Sequence, residues 1–231
     1  MRRHLKLDCI KFKPNSIGMV LTTKNTFFLL LLSLLLAVNF GFVGKPTQPK
    51  NSSIEFFVRE YQKDFHPNHS FMELIFVSIK NQQLFVIKGG KVSAKYAIST
   101  SEYGVGSKMY SQKTPIGLHQ VKFKIGAGAP VNGIIKTGYY TGKKAEVSQD
   151  TVHTNDDLIT TRVLWLDGLE PGLNKGGKVD TYSRSIYIHG TPEEGLIGQP
   201  ASHGCVRMKN LDVLQLFNSV DKGALVLILD H

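Results

Sequence analysis

From residue 73 onward the apolar residues recur with a period of two, and this alternation limits the possible folds more than any other feature. The stretch ELIFVSIKNQQLFVIKGGKVSAKYAIST, residues 73–100, predicts two or three strands separated by KNQQ and by KGGK, the second with the residues of a tight hairpin turn. Further strands are predicted at TPIGLHQVKFKIG, TTRVLWLDGL, SRSIYIHG and ALVLIL, and a helix at NLDVLQLFNSV. Many short strands and few helices predict a mainly β fold, either a β-sandwich or an open barrel.

One segment between the predicted strands lacks this regularity, and a second overlaps a predicted strand. Residues 126–160 are rich in Gly, Lys, Thr and Asp and show little periodicity, which predicts a long loop. Residues 158–177 include Trp165, the single tryptophan of the chain. We expect these segments to border a cleft, the second as a lid-like loop, although a lone tryptophan is more often part of a core than a ligand contact.

The N-terminal part of the chain carries a targeting pattern. Residues 1–26 contain six basic residues and one acid, and the next 18 residues, FFLLLLSLLLAVNFGFVG at 27–44, carry no charge. This order predicts a basic cytoplasmic n-region followed by a signal peptide or a membrane anchor, and both readings stay open. Residues 45–72 are predicted to form a linker with a short helix, begun by a capping box of Ser52 and Glu55. Residues 73–231 then form the main domain.

The charge of the exported part argues against binding to nucleic acid. Once residues 1–26 are set aside, 22 of the 28 basic residues and 17 of the 18 acidic ones remain, an excess of five positive charges. These charges are spread along the chain, whereas nucleic-acid binding calls for a basic stripe or patch with interleaved aromatic residues.

The cysteines point to a reactive site. Cys9 precedes the apolar run, so Cys205 is expected to stand alone in an oxidising compartment, either as a small buried hydrophobe or as a reactive thiol. His189 ends the predicted strand SIYIHG, and Cys205 follows sixteen positions later, after a loop containing two prolines. An imidazole beside a thiol favours the thiolate, which is the nucleophilic form. Backbone N–H groups at Cys205 and its glycine-flanked neighbours are predicted to face a developing oxyanion.

Four motifs within residues 73–229 carry a resemblance to a known family. The strand opening FVSIKNQQLFVIKGGK, the TPIG turn, the strand IHGT and the loop SHGCVRM together resemble the L,D-transpeptidases, the YkuD-type catalytic domain. The resemblance implies the fold of that domain, with Cys205 as nucleophile, His189 as its base and the backbone carbonyl of Gly190 orienting the imidazole. It also implies a substrate-binding wall, in which Arg207 braces the loop or faces a carboxylate of the substrate; the wall residues are Arg207, His203, Ser202 and Gly204.

The resemblance also implies a reaction. The donor is a tetrapeptide stem of peptidoglycan: the thiol attacks the carbonyl of its L-centred diamino acid, D-Ala leaves, and the thioester is passed to an acceptor. Acceptors in such a family are the amine of a neighbouring stem, a lysine of a wall-linked lipoprotein, a free D-amino acid or water. The resemblance implies no cofactor and no metal. It places the protein in the bacterial periplasm or cell envelope, in contact with the membrane through residues 27–44.

The sequence leaves four other functions to compare with this one. With water as acceptor the same chemistry gives an L,D-carboxypeptidase, a hydrolase that trims stems, and a non-catalytic peptidoglycan-binding domain is a further alternative. A zinc site of His189, His203 and Cys205 lacks a fourth ligand. The pieces SVDK at 219–222 and KTG at 136–138 suggest a serine acyltransferase of the penicillin-binding type, but they stand in reversed order.

Overall fold

The computed structural model describes residues 53–154 and 157–231, so the predicted segments 1–26 and 27–44 lie outside the described residues. In chain order the elements are α1 (Ile54–Phe65), β1 (Glu73–Ser78), β2 (Gln83–Lys88), β3 (Lys91–Ser99), β4 (Gly117–Ile125), β5 (Gly133–Lys136), β6 (Tyr139–Lys144), β7 (Thr160–Gly168), β8 (Tyr187–Gly190), β9 (Val206–Met208), α2 (Asn210–Ser219) and β10 (Leu225–Leu229), with short 3-10 turns at Gly177–Val179 and Glu194–Leu196.

The sheet closes on itself. Its strand order is β4-β10-β1-β2-β3-β9-β8-β7-β5-β6, and β4 also pairs with β7, so eight of the strands form a ring. The mainly β fold predicted from the sequence is confirmed. The pairing of β4 with β7 closes the strands into a barrel-like ring, and β5 and β6 extend from it at β7.

The loop predicted over residues 126–160 contains a β-hairpin. Strands β5 and β6 pair with each other, and β5 continues the sheet through a pairing of Ile134 with Thr160. Thr137 and Gly138 form its turn with φ of 50° and 86°. Every residue of β6 is exposed. The period-two signal is therefore missing there, because neither face of β6 is buried.

Alternate residues of the central strands enter two hydrophobic clusters. In β1, Ile75 and Val77 join the larger cluster, which includes Val213 and Leu216 of α2. Leu74 and Phe76 join the second cluster, which α1 covers with Val58. Because both faces of β1 are buried, this strand reads as a nearly continuous apolar run.

Helix α1 begins one residue later than the predicted capping box. Its N-cap is Ser53, whose hydroxyl oxygen accepts a hydrogen bond from the N–H of Phe56 at 3.2 Å. Ser52 as N-cap was therefore wrong, and the neighbouring serine takes the same role. Neither α1 nor α2 is long and apolar enough to span a membrane, and the described ranges hold no other α-helix.

Two parallel pairings interrupt an otherwise antiparallel ring. Strand β1 pairs in parallel with β10, and β8 pairs in parallel with β9. The three-residue β9 lies between β3 and β8, with Ile98 opposite Met208 on one side and Ile188 opposite Val206 on the other. This insertion brings the SHGCVRM loop beside the strand IHGT.

Candidate active site

The parallel pair β8–β9 places the histidine and the cysteine on one face of the sheet. Ile188 and Val206 are register partners, and both are fully buried in the larger hydrophobic cluster. Successive side chains of a strand point to opposite faces. Tyr187 and His189 on one strand, and Cys205 and Arg207 on the next segment, therefore share the face opposite that cluster.

The ring orientation of His189 is fixed by its neighbour along the chain. Nδ1 of His189 lies 2.8 Å from the carbonyl oxygen of Gly190, and the ring is buried. A carbonyl oxygen only accepts hydrogen bonds, so Nδ1 carries the hydrogen. In the neutral imidazole Nε2 then keeps its lone pair and is the nitrogen able to take a proton.

Gly190 has no room for a side chain. A Cβ placed on it would lie 2.7 Å from the carbonyl oxygen of Thr160 and 2.8 Å from Oδ1 of Asn210. The same Asn210 oxygen accepts hydrogen bonds from the hydroxyls of Thr160 and Thr161. Tight packing against β7 and α2 thus holds the Gly190 peptide in place under the imidazole.

Burial disfavours the charged form of both His189 and Cys205. It lowers the pKa of His189, although the charge of Asp157 raises it, and it raises the pKa of the Cys205 thiol to about 12, although the N–H of Tyr187 lowers it. Both changes favour neutral imidazole and neutral thiol. The direction is opposite to that expected for a thiolate, because sequence spacing does not show how strongly the fold desolvates a thiol whose residue is still partly exposed.

The thiol is held by the backbone of the segment leading into β8. Sγ of Cys205 accepts a hydrogen bond from the N–H of Tyr187 at 3.4 Å and donates one to the carbonyl oxygen of Ser185 at 3.5 Å. Within residues 53–154 and 157–231, no hydrogen bond joins Sγ directly to His189.

The turn before Cys205 is shaped by Ser202 and Gly204. The hydroxyl of buried Ser202 donates to the carbonyl oxygen of Cys205 at 2.6 Å and accepts from the N–H of Gly204 at 3.2 Å. The hydroxyl of Thr114 holds the carbonyl oxygen of Gly204 at 3.1 Å. Gly204 has a φ of 125°, a backbone conformation that favours glycine. Ser202 and Gly204 thus fix the backbone of the turn that carries Cys205.

Arg207 lies buried between two carboxylates. Its Nη1 is 2.7 Å from Oε2 of Glu193, which is equally buried, and its Nη2 is 2.7 Å from Oδ1 of Asp157. Of the two roles left open for Arg207, this arrangement matches the bracing of a loop. Contact with a substrate carboxylate would first require one of these two partners to leave.

His203 stands at the rim of the site. Its Nδ1 is 2.9 Å from Oδ2 of Asp157, its ring lies 5.9 Å from that of Tyr103, and its side chain is 42% exposed. The role of His203 in a substrate-binding wall stays a prediction.

Sequence reasoning missed the acidic partners of the site. Asp157 belongs to a polar stretch without periodicity, and Glu193 lies in the loop TPEEG. Neither position carries a local signal, because both meet Arg207 only through the folding of distant segments. In the part of the chain that the structure describes, no cluster of three His, Cys, Asp or Glu residues is arranged to hold a metal ion.

A cavity of about 200 Å³ lies beside the site. Trp165 and Tyr187 line it, with Ile159 and the hairpin turn at Thr137 and Gly138. The rings of Trp165 and Tyr187 meet edge to face at 5.1 Å. Trp165 is only partly buried, so it belongs both to the packing of β7 and to the lining of this cavity.

Comparisons with known proteins agree on one family. Residues 72–228 match the model of the YkuD family, the L,D-transpeptidase catalytic domain. A putative L,D-transpeptidase of Bacillus subtilis, YqjB, is 28% identical over 156 residues, which are 68% of this chain and 70% of the relative. A putative L,D-transpeptidase of Bacillus licheniformis, YkuD, is 43% identical over 60 residues, 24% of this chain and 36% of the relative.

Solved structures of the same kind are also similar. An L,D-transpeptidase from Mycobacterium smegmatis is 17% identical, with a TM-score of 0.42 over 68% of this chain and 58% of its own length. A C442S mutant of the Enterococcus faecium L,D-transpeptidase is 20% identical, with a TM-score of 0.42 over 68% of this chain and 49% of its own. The chain thus spans between about half and three fifths of these two structures. Because the family model matches residues 72–228, more than half of this chain, the chain belongs to the YkuD family of L,D-transpeptidase catalytic domains.

Proposed function

We propose that the protein is a peptidoglycan L,D-transpeptidase that uses Cys205 as its nucleophile. The observation that carries the proposal is the hydrogen bond from Nδ1 of His189 to the carbonyl oxygen of Gly190. It leaves Nε2 as a base on the face that also holds the thiol. Membership of the family supports the choice of substrate.

The first half of the reaction forms a thioester. The thiol turns from Ser185 toward His189, and Nε2 takes its proton as the sulfur–carbon bond forms at the carbonyl of the diamino acid. The tetrahedral intermediate collapses when the bond to the D-Ala nitrogen breaks, and the imidazolium returns the proton to that nitrogen. Transfer of the proton during attack, rather than before it, fits a pair whose members are both neutral at rest.

The second half regenerates the enzyme. An acceptor amine attacks the thioester carbonyl while Nε2 of His189 removes a proton from it. The carbon–sulfur bond breaks, and the proton on His189 returns to the sulfur. An amine acceptor gives a cross-link or an attached protein, and water gives a trimmed stem.

Incubation of the purified full chain with tetrapeptide muropeptides, followed by mass analysis of the products, tests the proposal. Release of D-Ala with formation of a dimer supports transpeptidation, whereas release of D-Ala with a tripeptide alone identifies a carboxypeptidase. Cys205→Ala should abolish both products, and the matched variant Ser219→Ala, at the end of α2, should retain them. Unchanged turnover in Cys205→Ala would contradict the proposal.

Labelling with imipenem identifies the nucleophile. The structure of LdtMt1 is described as a complex with imipenem, and a strained β-lactam acylates whichever nucleophile a site has activated. We expect one adduct per chain, located on the peptide that contains Cys205 and lost in Cys205→Ser. An adduct on Ser219 would favour a serine enzyme instead.

We also propose that the catalytic domain lies outside the cytoplasm, held by residues 27–44. The uncharged run and the basic residues before it support this orientation. A phosphatase fused after residue 50 should be active in a bacterial periplasm, and a reporter that works only in the cytoplasm should be inactive at the same position. The reverse result would contradict both the location and the wall substrate.

A further inference from the structure

Asp157 joins the two parts of the SHGCVRM loop that flank the cysteine. One carboxylate oxygen lies 2.7 Å from Nη2 of Arg207, and the other lies 2.9 Å from Nδ1 of His203. Asp157 comes from the segment just before β7, far from both partners along the chain. Its side chain is 33% exposed, whereas that of Arg207 is 1% exposed.

The position of Arg207 creates an electrostatic problem for the proposed base. Arg207 is the register partner of His189 on the neighbouring strand, and both side chains lie on the same face of the sheet. A guanidinium is always charged in a protein. A positive charge beside His189 opposes the formation of an imidazolium, which the base must become when it accepts the thiol proton.

Asp157 offsets this effect. Its charge raises the pKa of His189, while the charge of Arg207 and burial lower it. The other groups near His189 are the Gly190 carbonyl, the ring of Tyr187 at 6.4 Å and the Cys205 thiol, which shares its face of the sheet. Glu193 also pairs with Arg207, but its second oxygen accepts from the N–H and the hydroxyl of Thr154, so it fixes the fold of that segment.

We infer that Asp157 is a positioning residue for the transfer reaction, which holds Arg207 and His203 in place and keeps a negative charge near His189. This inference rests on the proposed function, since the negative charge of Asp157 affects the reaction only if His189 accepts a proton. Asp157 does not touch the reacting atoms in this structure. It acts through the guanidinium and through the field it exerts on the imidazole.

Titration of the His189 ring by NMR tests the inference without any substrate. In full-length Asp157→Asn the pKa of His189 should fall below that of the wild type, because a nearby negative charge that favours the imidazolium is removed. Asp157→Glu keeps the charge and should stay close to the wild type. Glu102→Gln is the matched control, since Glu102 lies 3.9 Å from Nε2 of His203, and the described residues give it no ion pair with Arg207.

Acylation by imipenem gives the second readout. The acid limb of its rate in Asp157→Asn should move to lower pH by the same amount. The acid limb carries this test, because the charge of Asp157 raises the pKa of the Cys205 thiol as well as that of His189, so its removal has two opposing effects on the plateau. A melting curve for each variant separates this effect from loss of folding. If Asp157→Asn does not fold, Asp157→Ser, which removes the charge with less bulk, is measured in the same way.

The outcomes distinguish the two proposals. No imipenem adduct on the wild-type protein would contradict the proposed function. A wild-type adduct together with an unmoved His189 titration in Asp157→Asn would overturn the role of Asp157 alone. A lower melting temperature with an unchanged acid limb would likewise reduce Asp157 to a purely structural residue and overturn the inference.

Discussion

His189 donates a hydrogen bond from Nδ1 to the carbonyl oxygen of Gly190 at 2.8 Å, so a backbone group holds the position that an acidic side chain takes in a Ser-His-Asp triad. A carbonyl is uncharged and supports an imidazolium less strongly than a carboxylate does. The protonation of His189, the proposed base, therefore depends on charges farther away and is sensitive to the surroundings of Arg207.

The resting state of the pair predicts how the thiol responds to pH. Because burial raises the pKa of Cys205 to about 12 and lowers that of His189, alkylation by iodoacetamide should show no inflection below the ordinary thiol value of about 8.5. The rate of imipenem acylation should hold its plateau down to below pH 6.5, since His189 stays neutral there. Alkylation rates measured between pH 5 and 10 check the first expectation. An inflection near pH 7 that moves in His189→Ala would show a thiolate–imidazolium pair and contradict it.

Substitution of Gly190 should disturb the site by steric clash alone. In Gly190→Ala the new Cβ would lie 2.7 Å from the carbonyl oxygen of Thr160, so the strand must shift and the acceptor for His189 moves with it. We expect a lower melting temperature and a loss of imipenem acylation of at least about tenfold, because one misplaced base forfeits part of the gain from general base catalysis. Gly128→Ala is the control, since nothing lies within 4 Å of a Cβ there. Equal behaviour of the two variants would rule out the steric argument.

The buried ion pair of Glu193 and Arg207 should be costly to break. Glu193→Gln leaves the buried guanidinium with Asp157 as its remaining ion-pair partner, and removal of one member of such a pair costs about 3 to 5 kcal/mol of unfolding free energy. Urea unfolding at pH 7 measures this. The exposed pair of Lys63 and Glu60 offers the contrast: Glu60→Gln should leave stability unchanged. A Glu193→Gln variant as stable as the wild type would show that Asp157 alone suffices.

His119 makes stability depend on pH in the acid range. Nδ1 of this buried histidine faces the carbonyl oxygen of Gly117 at 3.0 Å, its Nε2 is 3.1 Å from the hydroxyl of Thr181, and burial lowers its pKa to about 4. Between pH 6.5 and 4 the unfolded chain binds a proton that the folded chain does not, so stability falls as the pH falls through this window. At 1.36 kcal/mol per pKa unit the loss reaches about 3 kcal/mol.

Comparison of urea unfolding at pH 7 and pH 4.5 checks this effect of His119. His119→Gln should lose less stability than the wild type over this interval, by about 2 to 3 kcal/mol. His69→Gln replaces an exposed histidine and should behave like the wild type. An equal loss of stability in wild type and His119→Gln would mean that other groups account for the acid sensitivity.

The sequence predicted those features that repeat locally. Strands with one or both faces buried, such as β1 and β8, show the period-two pattern or the apolar run that burial requires. The turn of the KGGK hairpin is confirmed as well, since Gly89 and Gly90 both have positive φ, at 58° and 71°. His189 lies in β8 and Cys205 directly precedes β9, so the parallel pairing of these two strands places both motif residues on one face of the sheet.

Features that depend on distant segments could not be predicted in this way. Closure of the ring requires β4 to pair with β7, more than thirty residues later, and no local pattern in either strand specifies that partner. Asp157 reaches Arg207 from a polar segment whose composition is that of any loop. The ionisation of Cys205 depends on burial, which spacing along the chain does not reveal.

The three-residue β9 has a consequence for when the thiol becomes reactive. It is held between β3, which ends at Ser99, and β8, so the segment carrying Cys205 has no stable position until strands about a hundred residues apart have met. Contacts of such long sequence separation form late and slowly in folding. A partly folded chain would therefore carry an ordinary thiol with no oriented imidazole beside it. Reactivity of the site toward imipenem would then indicate that the barrel has finished folding.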